Sequence, residues 1–162
     1  MQNNKNISYK TKKKSLTLLI LLLSLTKLFP ISSVEASESA QLNCLAKNLF
    51  HEARGEGKHG MMMVGHVVLN RVKSKKFSDT ICGVIYQPKQ FSWVHKKKKH
   101  VVSKESKEWK TAVEVAKMVL ERSHDPTKGS LYFYSSSSIK KKPSWAKKKE
   151  VVTKVGNHVF LR

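Results

Sequence analysis

One short segment constrains the fold more than any other, because it predicts a helix with a carboxylate on its buried side. Residues 42–53 carry apolar side chains at the spacing of a single helix face, at Leu42, Leu45, Ala46, Leu49 and Ala53. Glu52 follows Leu49 by three residues and lies at the edge of that face. Three glycines between positions 55 and 60 then interrupt the helix. We therefore expect the Glu52 side chain to point into the fold.

The remaining pattern favours one mostly helical domain with a small sheet, an α+β fold. Further helices are predicted at residues 61–73, 81–86 and 103–125. Ser103 is the expected N-cap of the last of these, whose buried stripe is predicted to be Trp109, Ala112, Val113, Ala116 and Leu120. Short strands are predicted at residues 131–134 and 155–161. A length of 162 residues suffices for one such domain but not for two.

The first 36 residues have the composition of an export signal. Lysines from Lys5 to Lys14 form a basic start, residues 16–25 are almost entirely Leu and Ile, and Val34-Glu35-Ala36 offers a cleavage site. The apolar stretch is shorter than the ~20 residues of a spanning helix. A cleaved signal over residues 1–36 is therefore favoured over a permanent anchor. Residues 37–41 are expected to form a polar lead-in, and residues 42–162 the folded domain.

The net charge of +21 is unusual, and removal of residues 1–36, with six Lys and one Glu, still leaves +16. Such a field attracts polyanions without choosing among nucleic acid, anionic lipid and anionic wall polymers. A nucleic-acid-binding module would require basic residues interleaved with exposed aromatics on one surface. The export signal argues against that class and favours cell-wall polymers, so we expect no nucleic-acid partner.

Two cysteines, Cys44 and Cys82, follow the export signal. In an exported protein such a pair is more often joined than free, so a disulfide is predicted. Two buried, unlinked thiols are the alternative.

The densest group of ionisable residues surrounds the end of the first helix and admits three interpretations. His51-Glu52 begins the H-E-x-x-H signature of zinc peptidases, but Gly55 stands where the second histidine belongs. A solvated charged turn containing Glu52, Arg54 and Glu56 is the ordinary interpretation of charges at a helix end. The third interpretation is glycoside cleavage by an acid placed against apolar neighbours.

Cleavage of a glycosidic bond needs a proton on the leaving oxygen as the carbon–oxygen bond stretches. A carboxylic acid supplies this proton when burial among apolar side chains raises its pKa. The expected place of Glu52, beside Leu45 and Leu49, is of this kind. Attack on the anomeric carbon falls to a second carboxylate, to water or to a hydroxyl of the substrate, and the residues alone leave that choice open.

The chain resembles the cell-wall hydrolase family typified by the spore cortex-lytic enzyme SleB. The similarity runs over about residues 42–161, in the family's order and spacing. Its marks are EARGE at 52–56, VGHVVLNRV at 64–72, FSDTICGVIYQ at 77–87, QFSW at 90–93, LYFY at 131–134, PSW at 143–145 and GNHVF at 156–160.

This resemblance implies a compact domain related to lysozyme and lytic-transglycosylase catalytic domains, with peptidoglycan as the substrate. It also carries the role of general acid over to Glu52. In the transglycosylase route, the C6 hydroxyl of the muramic acid attacks the anomeric carbon and leaves a 1,6-anhydro end. Glu52 then acts first as acid and next as base. Muramidase hydrolysis remains open.

Each remaining site residue has a functional and a structural interpretation. Glu56 is either a second active-site carboxylate or the salt-bridge partner of Arg54 or Arg71. Asn70 and Arg71 either bridge helices or hydrogen-bond Glu56, and the bridging role is favoured.

A saccharide-binding wall is predicted from Gln90, Phe91 and Trp93, because sugar rings present flat apolar faces to aromatic side chains. Core packing is the alternative for Phe91. Tyr132 and Tyr134 lie on one side of a strand, so at least one of them is expected to face a cleft.

Three rival functions remain: a nucleic-acid-binding module, a non-catalytic wall-binding protein and an N-acetylmuramoyl-peptide amidase. No sequence feature demands a metal or another cofactor, and a monomer is expected.

Overall fold

A computed structural model describes residues 32–95, 102–139 and 141–162. The chain divides into two units, residues 1–35 and 36–162, and the second unit contains every feature discussed below except residues 32–35, the first turn of the first helix. Its helices are α1 Ser32–Ala53, α2 Gly57–Val72, α3 Ile81–Tyr86 and α4 Lys107–Glu121, with short 3-10 helices at Ser92–His95 and Ser144–Ala146. Its strands are β1 Tyr132–Ser135, β2 Val151–Val155 and β3 His158–Leu161. The predicted fold class, mostly helical with a small sheet, is confirmed.

Helix α1 begins ten residues earlier than the apolar spacing predicts, so the expected lead-in at residues 37–41 is helical. Residues 34–40 are exposed and therefore show no apolar repeat. Glu35 lies in the first turn, where a carboxylate favours a helix. The predicted export signal lies outside the described residues except for its last five positions. Among the residues described, no helix is long and apolar enough to cross a membrane.

Helices α2 and α4 pack closely because Gly65 lacks a side chain. A Cβ at this position would lie 2.9 Å from Cγ2 of Val119 on α4. Helix α2 starts at Gly57, four residues earlier than predicted, and Gly57 adopts a φ of +68°. Gly60 was expected in the turn but lies within the helix.

Helix α4 shows a buried face that differs in part from the prediction. Its N-cap is Ser106, whose hydroxyl accepts a hydrogen bond from the Trp109 N–H, and not Ser103. Leu120 is 41% exposed, because Val119 is the residue that packs against Gly65. Val115 and Val119 therefore face the core. The buried residues are Trp109, Ala112, Val115, Ala116 and Val119.

The sheet is antiparallel with the order β1-β3-β2, and its central strand is buried along its whole length. The single strand predicted at residues 155–161 is wrong, because Gly156 and Asn157 form a turn between β2 and β3. Gly156 has a φ of +53°, which glycine adopts without steric cost. This hairpin brings Asn157 and His158 to the edge of the cleft described below.

The predicted disulfide between Cys44 and Cys82 is present, with a Cα–Cα distance of 5.4 Å. It joins α1 to α3, and the backbone N–H of Cys82 also donates to Oε1 of Gln41 at 3.0 Å. The core beneath consists mainly of side chains from the four helices, with Phe91 and Phe160 added from the loop and the sheet.

Candidate active site

A cleft of about 760 Å³ lies between the end of α1, the loop before residue 95 and the sheet. Seven of the predicted site residues line it: Glu52, Glu56, Arg71, Gln90, Phe91, Trp93 and Tyr134. Three others, Arg54, Asn70 and Tyr132, are not among its lining residues. The cleft therefore collects residues from segments far apart in the chain.

Glu52 lies in the last turn of α1, half-buried in the cleft wall. Its charge acts on Arg71: burial lowers the pKa of Arg71 to about 10, while Tyr132 and Glu52 oppose this shift. A largely buried guanidinium therefore stands within electrostatic reach of the Glu52 carboxylate. The edge position predicted from helical spacing agrees with this placement.

Arg71 also joins three parts of the fold around the cleft. Its Nε donates to the carbonyl of Leu131 at 2.8 Å, just before β1. Its guanidinium carbon lies 5.2 Å from the ring centres of both Phe77 and Phe91. Since Phe91 is 2% exposed, the ring serves mainly as core beneath the cleft.

Glu56 is held by Asn157. The backbone N–H of Asn157 donates to Oε2 at 2.8 Å, and its side-chain Nδ2 donates to Oε1 at 3.0 Å. The first of these bonds is the main cause that lowers the pKa of Glu56. Neither arginine expected as its partner takes this place; Arg54 instead lies over the Phe50 ring at 5.0 Å.

Asn70 faces away from the cleft and ties α2 to the loop before β1. Its Nδ2 donates to Oδ2 of Asp125 at 2.9 Å and to Oγ1 of Thr127 at 3.0 Å. It also lies 3.2 Å from the carbonyl of Ser130. These contacts fix the point at which the chain enters β1.

An aromatic pair forms one wall of the cleft. The Trp93 ring stacks on His51 with ring centres 4.4 Å apart and planes 18° apart. Its Nε1 donates to Oδ1 of Asn48 at 3.1 Å, so the orientation of the indole is fixed from α1. Tyr134 stands in the wall formed by the sheet, while its neighbour on the same strand face, Tyr132, packs against Trp145.

His158 is the most informative lining residue that the sequence did not nominate. It is 4% exposed, and its ring lies 5.1 Å from that of Phe133. Burial lowers the pKa of His158, although the charge of Glu56 opposes this. Its signals in the sequence are a polar residue within an apolar strand segment and its place in the GNHVF mark at 156–160. Sequence reasoning also missed further lining residues: His51, Lys89, Ser92, His95, Phe133, Ser135, Ser137, Ser138 and Ile139.

Within the described part of the chain, no group of three His, Cys, Asp or Glu residues is arranged to hold a metal ion.

Comparison with known proteins decides the family. The family model described as Cell Wall Hydrolase matches residues 55–161. The chain belongs to the cell wall hydrolase family. The match includes Glu56, Asn157 and His158, and it begins three residues after Glu52.

Two groups of relatives agree with this membership. The spore cortex-lytic enzyme of Bacillus cereus is 29% identical over 123 residues, which are 75% of this chain and 44% of that protein. The cell wall hydrolase CwlJ of Bacillus subtilis is 41% identical over 66 residues, or 38% of this chain and 46% of that protein. The chain thus spans less than half the length of these relatives.

Solved structures cover the domain more fully. The catalytic domain of the Bacillus cereus SleB protein superposes with a TM-score of 0.62 at 28% identity, covering 75% of this chain and 89% of that one. The catalytic domain of the germination-specific lytic transglycosylase SleB from Bacillus anthracis gives a TM-score of 0.63 at 28% identity, covering 75% and 93%. The predicted resemblance to the SleB family is confirmed.

Proposed function

We propose that the chain is an exported enzyme that cleaves the glycan strands of peptidoglycan, with Glu52 as general acid and base. Family membership and the similarity to two SleB catalytic domains support the substrate class. One of those domains belongs to a lytic transglycosylase, which favours the transglycosylase route for this chain as well.

The observation that carries the proposal is the way in which one of the two carboxylates that line the cleft, Glu56, is held. Two hydrogen bonds from Asn157 hold Glu56, and its lowered pKa keeps it ionised near neutral pH. A carboxylate held in that form is a poor proton donor. Glycoside cleavage needs one carboxylic acid that can give up a proton, so the acid role falls to Glu52, the other carboxylate that lines the cleft.

The proposed reaction needs one proton carrier and no water. Glu52 donates its proton to the glycosidic oxygen as the bond from that oxygen to the anomeric carbon breaks. The muramic acid C6 hydroxyl forms the new bond to the anomeric carbon, and its proton passes to the Glu52 carboxylate. The products are a 1,6-anhydro end and a free hydroxyl end, and Glu52 is again protonated.

Substrate binding is assigned to the cleft walls. The stacked His51–Trp93 pair presents an aromatic surface to a sugar ring, and Gln90 beside it offers an amide that can pair with sugar hydroxyls. Tyr134 faces them from the sheet. Arg71, held by Leu131, is assigned a supporting role in which its charge steadies the Glu52 carboxylate after proton transfer.

Mass spectrometry of the fragments released from purified sacculi tests this assignment. The parent chain should release 1,6-anhydromuropeptides, and Glu52→Gln should reduce the rate by about 10²–10⁴-fold, the usual contribution of a general acid. The exposed Glu121→Gln on α4 is the matched control and should keep the parent rate. Equal release by Glu52→Gln and the parent would refute the role of Glu52.

The same product spectrum separates the alternatives. Reducing ends without an anhydro ring would indicate a muramidase, and free stem peptides would indicate an amidase. Binding without any release would indicate a wall-binding protein. We place the chain outside the cytoplasm, in the periplasm, the wall or the medium, as a monomer. Its positive charge attracts polyanions in general, and this location makes wall polymers, not nucleic acid, the expected partner.

A further inference from the structure

A half-exposed tryptophan lies outside the cleft, on the 3-10 helix Ser144–Ala146. Trp145 is 48% exposed, although its ring is fixed by the rings of Tyr132 and Tyr134, at 6.1 and 6.3 Å between ring centres. Ala146 beside it is fully buried in the small apolar cluster with Val159 and Leu161. The indole is therefore held in one place while much of its surface meets solvent. A single exposed aromatic side chain is common on protein surfaces, so the case for a binding site depends on the charges that surround this one.

Exposed lysines flank Trp145 on both sides in the sequence. Lys141 and Lys142 precede it, and Lys147 and Lys148 follow it. We call these four lysines and Trp145 the basic tryptophan patch. Lys149 is excluded from the patch, because its Nζ lies 3.7 Å above the Tyr132 ring and serves to support it.

The acidic residue nearest to the patch in the sequence, Glu150, is paired with an arginine. Glu150 is the only acidic residue between positions 141 and 155. It accepts hydrogen bonds from Arg162 at 2.9 and 3.1 Å, so Arg162 neutralises it. The positive field of the patch is therefore available to a partner.

We infer that the basic tryptophan patch is a binding site for a phosphodiester-linked polyol or sugar polymer of the cell wall. Its cations are all lysines, which act as point charges and suit a flexible chain of single phosphates. The patch has no arginine, whose fork pairs bidentately with a carboxylate or phosphate held in one orientation, whereas lysine binds phosphate as a point charge. Trp145 adds a flat apolar surface for the sugar or polyol units. The inference rests on the proposed location at the wall, but not on the chemistry of the cleft.

The patch and the cleft are neighbours, because Tyr134 lines the cleft and also contacts Trp145. A polymer bound at the patch would keep the enzyme at the wall while a glycan strand occupies the cleft. Linked sites of this kind raise the effective concentration of the second ligand without any new contact in the cleft.

Titration with purified poly(glycerol phosphate) tests the site. The triple variant Lys142→Gln/Lys147→Gln/Lys148→Gln should bind at least about tenfold more weakly at low salt, and its salt-dependence slope should fall by about two to three. A control that removes equal charge elsewhere, Lys75→Gln/Lys76→Gln/Lys117→Gln, should lose less than about twofold. Trp145→Ala should weaken binding, and Trp145→Phe should restore part of it. Thermal unfolding of each variant verifies that the fold is kept.

Three results would overturn the inference. Equal losses in both triple variants would show that only the overall charge attracts the polymer. Tighter binding to single-stranded DNA with the same number of phosphates would indicate a nucleic-acid site, since tryptophan also stacks on bases. Undiminished binding to sacculi freed of phosphate polymer would indicate a glycan site. Glu52→Gln should bind the polymer like the parent, so a failure of the cleft assignment would leave this test unaffected.

Discussion

Glu56 and Asn157 are joined by two hydrogen bonds although they lie 101 residues apart in the chain. This contact connects the start of α2 to the turn between β2 and β3. It also sets the position of the next residue, His158, which enters the cleft wall. The shape of the cleft therefore depends on a contact outside the helical core.

Gly156 makes that contact possible, and replacing it by Ala should destabilise the fold by about 1–2 kcal/mol. A Cβ at Gly156 would overlap Oε2 of Glu56, and the φ of +53° strains any larger residue. Urea denaturation measures the loss. Gly129→Ala is the matched control, because Gly129 also has a positive φ, of +80°, but no atom lies within 4 Å of its would-be Cβ.

The Gly129→Ala control separates the steric effect of the Glu56 carboxylate from the strain of a positive φ. If the carboxylate limits the turn, Gly156→Ala should cost more than Gly129→Ala, and the excess should shrink in a Glu56→Ala background. Equal losses at both glycines would show that backbone strain alone is responsible.

Acid should destabilise the protein in two stages. Burial lowers the pKa of both His66 and His158 below the ordinary 6.5. As the pH falls through 6.5, the unfolded chain takes up protons that the folded chain does not, so stability declines until the folded pKa values are reached. Glu56 adds a second loss below its ordinary pKa of 4.5, because the Asn157 hydrogen bonds lower its folded pKa.

Urea denaturation between pH 8 and 4 measures this profile. Each histidine contributes a slope of at most about 1.4 kcal/mol per pH unit. His158→Gln should reduce the slope of the first stage and leave the part due to His66; His59→Gln, at an exposed histidine outside the cleft lining, is the matched substitution. A flat profile from pH 7 to 5 in the parent would contradict the prediction.

Removal of the Cys44–Cys82 disulfide should lower the free energy of unfolding by about 3–4 kcal/mol in the chain-entropy model. The bond closes a loop with a sequence separation of 38, and the open chain gains the corresponding freedom when it unfolds. Denaturation of Cys44→Ser/Cys82→Ser measures the change. Reductant should destabilise the parent to a similar level and leave the double variant unaffected; a parent insensitive to full reduction would count against this role.

Gly65→Ala should destabilise the fold by about 1–3 kcal/mol, although alanine is the better helix former. The new Cβ would lie 2.9 and 3.2 Å from the two γ-carbons of Val119, whose branched side chain has little freedom to move. The variant Val119→Ala removes those carbons. In that background the same substitution should become neutral or stabilising, and a loss of equal size would refute the steric cause.

Apolar spacing predicted the parts of the fold that pack locally. The buried face of α1 and the placement of Glu52 at its edge follow from one helical repeat, because both depend on residues within two turns. The exposed start of α1 has no such repeat and was missed. In α4, Val119 is buried and Leu120 is exposed because Gly65 leaves a space for Val119 on another helix. A pattern within α4 alone does not indicate that space.

The candidate site likewise contains one feature that local spacing predicts and several that depend on distant residues. Glu52 was predictable from its neighbours in the helix. The hydrogen bonds of Glu56 to Asn157, the stack of His51 on Trp93 and the burial of His158 all join residues distant in sequence. Their residue types carry no spacing that would indicate those partners, so only the folded structure reveals them.

The residues that line the cleft are synthesised at different times, because they come from both ends of the domain. The first wall of the cleft, with Glu52, lies near residue 52, whereas the opposite wall ends with His158 in β3. During synthesis Glu52 is therefore made long before the residues that the sheet adds to the cleft. A chain still growing, or one interrupted before the β2–β3 hairpin, carries Glu52 but lacks the part of the cleft wall that the sheet supplies.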